Sequence, residues 1–160
     1  IKFNSAMIRI YTDGAALGNP GPGGFGTILE FNGNRKELSQ GFRLTTNNRM
    51  ELLAVIEGLR ALKMTGIPVT IYSDSKYVVE SVEKRWVWNW VKKNFKDKKN
   101  EDLWRQYLQL HEMYRPTFRW IKGHAGHPEN ERCDQLAVAA ANSGNFLVDS
   151  FFEAHQQERR

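Results

Sequence analysis

The hydrophobic period switches at Asn48, and that switch limits the fold more than any single motif. Before it the chain reads as strands. Met7-Ile8-Arg9-Ile10-Tyr11-Thr12 alternates and is rich in β-formers, so it predicts a strand closed by Asp13-Gly14. Gly18-Asn19-Pro20-Gly21-Pro22-Gly23-Gly24 is a run of turn residues. Two further strands, Phe25 to Phe31 and Glu37 to Leu44, meet around Asn32-Gly33-Asn34, and Asn-Gly tolerates the positive φ of a tight hairpin turn. From Asn48 on, Leu52, Val55, Ile56, Leu59 and Leu62 recur at three- and four-residue steps, with Asn47 or Asn48 as the expected N-cap. Gly66-Ile67-Pro68 stops that helix. Val69 to Tyr72 follows as a strand, then helices over 76–82 and 101–114, a strand over 117–121 and a helix over 129–141. Strand–helix–strand units favour parallel pairing, so this order predicts an α/β domain with a mixed sheet covered by helices.

A length of 160 residues, 41% hydrophobic and 26% charged, suits one globular domain with a real core. The lone Cys133 excludes an internal disulfide and is compatible with a reducing cytosol. No apolar run approaches the roughly 20 residues that span a bilayer, and no signal-peptide pattern is present, so the expectation is a cytoplasmic protein without a membrane partner. Ile1 is an unusual native start, which leaves a longer parent chain open. A formal net charge of +5 favours polyanionic partners without requiring them.

Three acids fall at the ends of predicted elements: Asp13 after the first strand, Asp74 after the fourth in Tyr72-Ser73-Asp74-Ser75, and Glu51 in the first turn of the helix that begins at Asn48. Asp134, on the last helix beside Cys133, is a fourth candidate. Sites in α/β sheets gather beyond the carboxyl ends of parallel strands, so parallel first and fourth strands would set Asp13 and Asp74 side by side. Singly, each acid reads as a turn or helix-dipole residue. Together they would repel one another unless cations neutralise them, and oxygen-only ligand sets suit Mg²⁺ or Mn²⁺.

Tyr11-Thr12-Asp13-Gly14, the Gly18–Gly24 run, Thr45-Thr46-Asn47-Asn48-Arg49-Met50-Glu51, Ser73-Asp74-Ser75 and Lys122-Gly123-His124-Ala125-Gly126-His127-Pro128-Glu129-Asn130-Glu131-Arg132-Cys133-Asp134 resemble, in order, the type 1 ribonuclease H motifs of bacteria. The resemblance spans about Met7 to Ala141. It implies a ribonuclease H-like fold, with a five-stranded mixed sheet whose first three strands are antiparallel and with helices on both faces. It also implies an endonuclease that hydrolyses the RNA strand of RNA–DNA hybrids by a two-metal-ion mechanism, leaving 3′-hydroxyl and 5′-phosphate ends. Asp13, Glu51, Asp74 and Asp134 match the acids that bind two Mg²⁺ ions, with Mn²⁺ able to substitute. His124 matches a mobile histidine that assists proton transfer or product release, and an unperturbed imidazole pKa of about 6.5 suits that work. His127, beside Pro128, is expected to cap or support the loop.

Between residues 84 and 99 lie Lys84, Arg85, Lys92, Lys93, Lys96, Lys98 and Lys99, interleaved with Trp86, Trp88, Trp90 and Phe95. Basic residues can follow phosphates and aromatic faces can pack on sugars or bases. The segment is similar to the family's basic protrusion, which grips the DNA strand; Trp86, Lys92 and Lys93 are the candidate contacts, while Trp90, Trp104 and Trp120 are expected in the core. Discriminating RNA from DNA requires reading the 2′-hydroxyl, a task that suits short amides on rigid turns. By resemblance Asn19, Asn47 and Asn48 contact the minor groove, Gly14 lets backbone approach the strand, and Thr46 and Asn100 form a pocket for a DNA phosphate. Lys76 sits close enough to Asp74 to touch substrate near the cut. Leu44 stands where some relatives carry an arginine, and Arg43, its strand neighbour, points to the other face.

The expected catalytic domain covers residues 1–143, and the apolar 144–160 stretch is expected to pack back on it as part of a monomer. Two other readings are a ribonuclease H domain of a reverse transcriptase and a non-catalytic nucleic-acid-binding module.

Overall fold

Asn32 and Gly33 both take positive φ, 51° and 78°, and the chain reverses between the paired residues Phe31 and Asn34. That turn joins β2 (Gly21–Phe31) to β3 (Asn34–Thr45), and β1 (Ile8–Ala16) pairs with β2, so the first three strands form an antiparallel meander. In the computed structural model, which describes residues 6–123 and 125–156, the remaining elements are α1 (Asn47–Arg60), β4 (Val69–Ser73), α2 (Lys76–Glu83), α3 (Trp86–Lys92), α4 (Glu101–Tyr114), β5 (Thr117–Trp120), α5 (Pro128–Asn142), β6 (Phe146–Leu147) and α6 (Ser150–His155). The sheet order is β5-β4-β1-β2-β3-β6, with β4 parallel to β1 and to β5.

The mixed sheet has six strands rather than five. The sixth, β6, is only two residues long and pairs parallel to β3 at Gly41 and Phe42. The basic, tryptophan-rich segment also carries a helix, α3, on which Val87 alone is buried.

Helices cover both faces by different means. On one face α1 and α4 bury Leu52, Ile56, Leu59, Trp104 and Tyr107 with Ile10 and Ile71 of the sheet. Thr27 Oγ1 donates to Ala54 O at 2.8 Å, tying β2 to the same helix. On the opposite face α5 lies almost on the backbone, where a Cβ at Gly26 would meet Cys133 O at 2.3 Å and one at Gly41 would meet Ala140 O at 2.3 Å. Small residues on both sides of that contact let α5 settle low, which fixes the height at which it carries Asp134.

Of the three tryptophans expected in the core, Trp104 is fully buried and Trp90 packs edge-on against it at 6.0 Å between ring centroids. Trp120 is 45% exposed. It ends the short edge strand β5, and its indole N–H is spent on a partner outside the core, as described below. No helix among the described residues is long and apolar enough to cross a membrane.

Candidate active site

Parallel pairing between β1 and β4 ends at Thr12 opposite Ser73, so Asp13 and Asp74 are the first residues past the last parallel rung. Asp13 does not close β1, which runs on to Ala16 against β2, with Asp13 facing Gly26. Glu51 arrives from the other direction. It lies on α1 beyond its first turn, because the helix starts at Asn47 with Thr46, not an asparagine, as N-cap; Thr46 Oγ1 accepts from Arg49 N at 3.2 Å. What lets Glu51 approach β1 is the absence of a side chain at Gly14, whose Cβ would lie 2.3 Å from Glu51 N. The missing side chain of Gly14 thus seats α1 on the strand.

The three carboxylates offer oxygen atoms that all lie within 4.8 Å of one another. Asp13 and Glu51 are buried and Asp74 is half-buried. Burial raises the Asp13 carboxyl to about 8, helped by the charge of Asp74 and opposed by the Gly14 N–H, which donates to Asp13 Oδ1 at 2.9 Å. Burial, then the charges of Asp13 and Asp74, pushes Glu51 well above the usual carboxylate range. Glu51 Oε1 is buried without a hydrogen-bond partner. An oxygen-only set of mutually repelling acids, one with an orphaned acceptor, fits a hard divalent cation better than it fits protons.

Asp134 is not part of this tight group. It is half-buried on α5, close enough for its charge to be felt at Asp13. His124 lies outside the described residues. His127 occupies the N-cap position of α5, but its side chain makes no capping bond.

Asp74 is held at its backbone. Trp120 Nε1 donates to Asp74 O at 3.0 Å, and Ile121 N donates to Ser73 O at 2.9 Å. The Lys76 ammonium rests 5.0 Å from the centroid of the same Trp120 ring. Gly123 closes over the same carboxylate, since a Cβ there would sit 2.7 Å from Asp74 Oδ2. Period-two alternation puts Trp120 on the side of buried Phe118, so it reads as core; only the Ser73–Trp120 pairing shows that it reaches the site.

A model of the RNase H family matches residues 5–142. The chain belongs to the RNase H family. It is 54% identical over 151 residues to a ribonuclease H of Desulforamulus reducens, covering 91% of this chain and 94% of that one. It is 52% identical over 153 residues to one of Syntrophus aciditrophicus, covering 92% and 88%. Among solved structures it superposes on LC9-RNase H1, a type 1 RNase H with the type 2 active-site motif, with a TM-score of 0.77 at 35% identity over 96% of this chain and 82% of that one. It also superposes on LC11-RNase H1 in complex with an RNA/DNA hybrid, with a TM-score of 0.66 at 26% identity over 85% and 97%.

The other candidate residues of this RNase H fall into two groups. Around the start of α1, Asn19 Oδ1 accepts from Asn47 N at 3.1 Å, Asn48 is exposed, and Thr46, Asn48, Lys99 and Asn100 face a cleft of about 310 Å³. Leu44 is half-buried, and Arg43 does not replace an arginine there because it is turned to Glu153, 2.8 Å away. On the basic protrusion, Trp86, Asn89, Trp90, Lys93, Lys96 and Lys98 line a second cleft of about 440 Å³. Trp86 is 41% exposed with the Lys84 ammonium 5.3 Å from its ring, and Lys92 and Lys93 are exposed.

Proposed function

We propose that this RNase H hydrolyses the RNA strand of RNA–DNA hybrids endonucleolytically, leaving 3′-hydroxyl and 5′-phosphate ends, with a pair of Mg²⁺ ions that Mn²⁺ can replace. The observation that carries this reading is the cluster of Asp13, Glu51 and Asp74 oxygens within 4.8 Å. These three residues would hold the ions, with Asp134 completing the set from α5. Held by these carboxylates, a divalent cation would supply activation of a water and charge stabilisation for the leaving oxygen of an in-line displacement. Burial of Asp13 and Glu51 keeps bulk water from screening their charge, and the Trp120 bond to the Asp74 carbonyl keeps the third carboxylate in place. His124 is assigned proton transfer to or from the reacting oxygens, or help in product release.

Asn19, Asn47 and Asn48 are assigned to the minor groove, where their amides can exchange hydrogen bonds with 2′-hydroxyls; Gly14 contributes its backbone there. Thr46 and Asn100 are assigned to a phosphate of the DNA strand, and Lys76 to substrate near the cut. Trp86, Lys92 and Lys93 are assigned to the DNA strand farther along. The catalytic domain is taken as residues 1–143 with 144–160 packed on it, although 157–160 lie outside the described residues. The enzyme is expected to act as a monomer in the cytoplasm, where the buried Cys133 would stay reduced.

The direct test is cleavage of a labelled RNA–DNA hybrid beside RNA–RNA and DNA–DNA duplexes, with and without Mg²⁺. Cutting of the RNA strand of the hybrid alone, and only with the cation, is expected; equal cutting of the three duplexes would overturn the reading. Replacing Lys92 and Lys93 by Gln is expected to lower the slope of log affinity against log salt by up to about 2, because each phosphate-contacting lysine releases roughly one counterion. Single-turnover cleavage at saturating enzyme should be unchanged, and an unchanged salt slope would remove both lysines from the interface.

A further inference from the structure

A buried guanidinium has to have its charge answered and its hydrogens placed. Arg49 of α1 has a side chain only 2% exposed, and two carboxylates from distant parts of the chain take it from either side. Its Nη2 and Nη1 donate to Asp102 Oδ2 and Oδ1 at 2.7 and 2.9 Å. Its Nε and Nη2 donate to Asp149 Oδ2 and Oδ1 at 2.7 and 2.9 Å. Asp149 immediately precedes α6, and it also accepts from Thr45 Oγ1 at 2.7 Å.

The chain of contacts continues past the ion pairs. Arg49 Nη1 donates to Asn100 Oδ1 at 3.3 Å, and Asn100 Nδ2 donates to the Tyr77 hydroxyl at 3.0 Å, which also accepts from Trp104 Nε1 at 2.8 Å. Asn100 is therefore fixed at both ends of its amide, in a left-handed backbone conformation with φ 67° just before α4. One face of this assembly is the 310 Å³ cleft lined by Thr46, Asn48, Lys99 and Asn100 and, from the C-terminal stretch, by Phe152 and Gln156. Hydrogen-bond donors surround it, and no carboxylate is among its described lining residues. That chemistry suits an anionic oxygen, such as a backbone phosphate of a nucleic-acid strand.

We propose that Asp149 is a positioning residue for substrate: through Arg49 it sets the Asn100 amide and the first turn of α1, and so holds this cleft in the shape that receives a DNA-strand phosphate of the hybrid. The C-terminal stretch is then part of the substrate platform and not only a cover for the domain. This rests on the hybrid-cleaving reading above.

The test uses the full chain and a labelled RNA–DNA hybrid. Asp149→Asn keeps the shape of the side chain and removes its charge; KM is expected to rise about tenfold, the worth of one well-placed charge-assisted hydrogen bond, with kcat within about twofold. Thr45→Val, which removes only the hydroxyl that orients Asp149, is the milder variant for use if Asp149→Asn does not fold, and a KM rise of about threefold is expected. Adding Asn100→Ala to Asp149→Asn should raise KM no further than Asn100→Ala alone, because residues acting through one group are not additive. Leu59→Ala, a core truncation at the far end of α1, should lower the melting temperature while leaving KM in place. An unmoved KM in both Asp149→Asn and Thr45→Val, or fully additive KM changes in the double variant, would overturn the proposal. Absence of hybrid cleavage by the unaltered chain would overturn the parent reading and this one with it.

Discussion

Asp13→Asn is expected to slow hybrid cleavage by about 10³-fold or more while raising the melting temperature of the metal-free protein by roughly 5 °C. Both effects come from one carboxylate. The Asp13 carboxyl titrates near 8 in the folded protein against an ordinary value of 3.8, chiefly through burial and then through Asp74. Between those values the folded state holds a proton that the unfolded state has released, so the stability of the metal-free enzyme falls as pH rises through that window; above 8 the penalty is complete. An amide cannot ionise, so it avoids the cost of holding that proton, leaves Glu51 one potential charged neighbour fewer, and should recover about 2 kcal/mol at neutral pH. The same substitution takes away a ligand, so added Mg²⁺ should raise the melting temperature of the unaltered chain far more than that of the variant. Thermal melts from pH 5 to 9, with and without the cation, check both parts. A variant less stable than the parent without metal would mean that the carboxylates are not in conflict.

Much of this site is legible in the sequence because its parts are local. Asp13, Asp74 and Glu51 lie beside short local signals, namely strand alternation, the glycine after Asp13 and the start of helical spacing at Asn48. This holds even though β1 runs past Asp13 to Ala16 and Glu51 lies beyond the first turn of α1. The antiparallel meander is legible for the same reason, through Asn32 and Gly33. What escapes is set by partners far along the chain. Arg49 sits inside a dense motif without any role the sequence assigns it, yet it is a buried cation whose partners are 53 and 100 residues away. Trp120 reads as core by its parity with Phe118 and instead serves the Asp74 backbone. The two-residue strand β6 has too few residues to leave a period; its place at the sheet edge is held partly by Gln40, whose amide donates to Asn145 O at 3.1 Å. Helix α3 is seven residues long and fully buries only Val87, with Trp88 and Trp90 half-buried and Trp86 and Lys92 exposed, so it leaves no clear apolar stripe to read.

Gly14→Ala is expected to lower the melting temperature by roughly 5–10 °C and cleavage by about 10²-fold, although the change adds one methyl group and touches no carboxylate. The new Cβ would lie 2.3 Å from Glu51 N, 2.5 Å from Met50 C and 2.9 Å from Glu51 Cα, all backbone atoms that cannot rotate aside. Relief requires lifting the first turns of α1 off β1 by about 1 Å, at a cost of roughly 2–3 kcal/mol in a packed core. That movement separates Glu51 from Asp13, and ligand positions for a divalent ion tolerate only about 0.2 Å. The variant should therefore need more Mg²⁺ for half-maximal cleavage, not merely turn over more slowly at saturation. Gly41→Ala is the comparison, because its Cβ would meet Ala140 O at 2.3 Å, near the far end of α5. It should lose similar stability and keep the Mg²⁺ midpoint of the parent. If the two variants respond alike to the cation, the close approach at Gly14 matters for packing alone, and the spacing of Asp13 and Glu51 is not what this glycine protects.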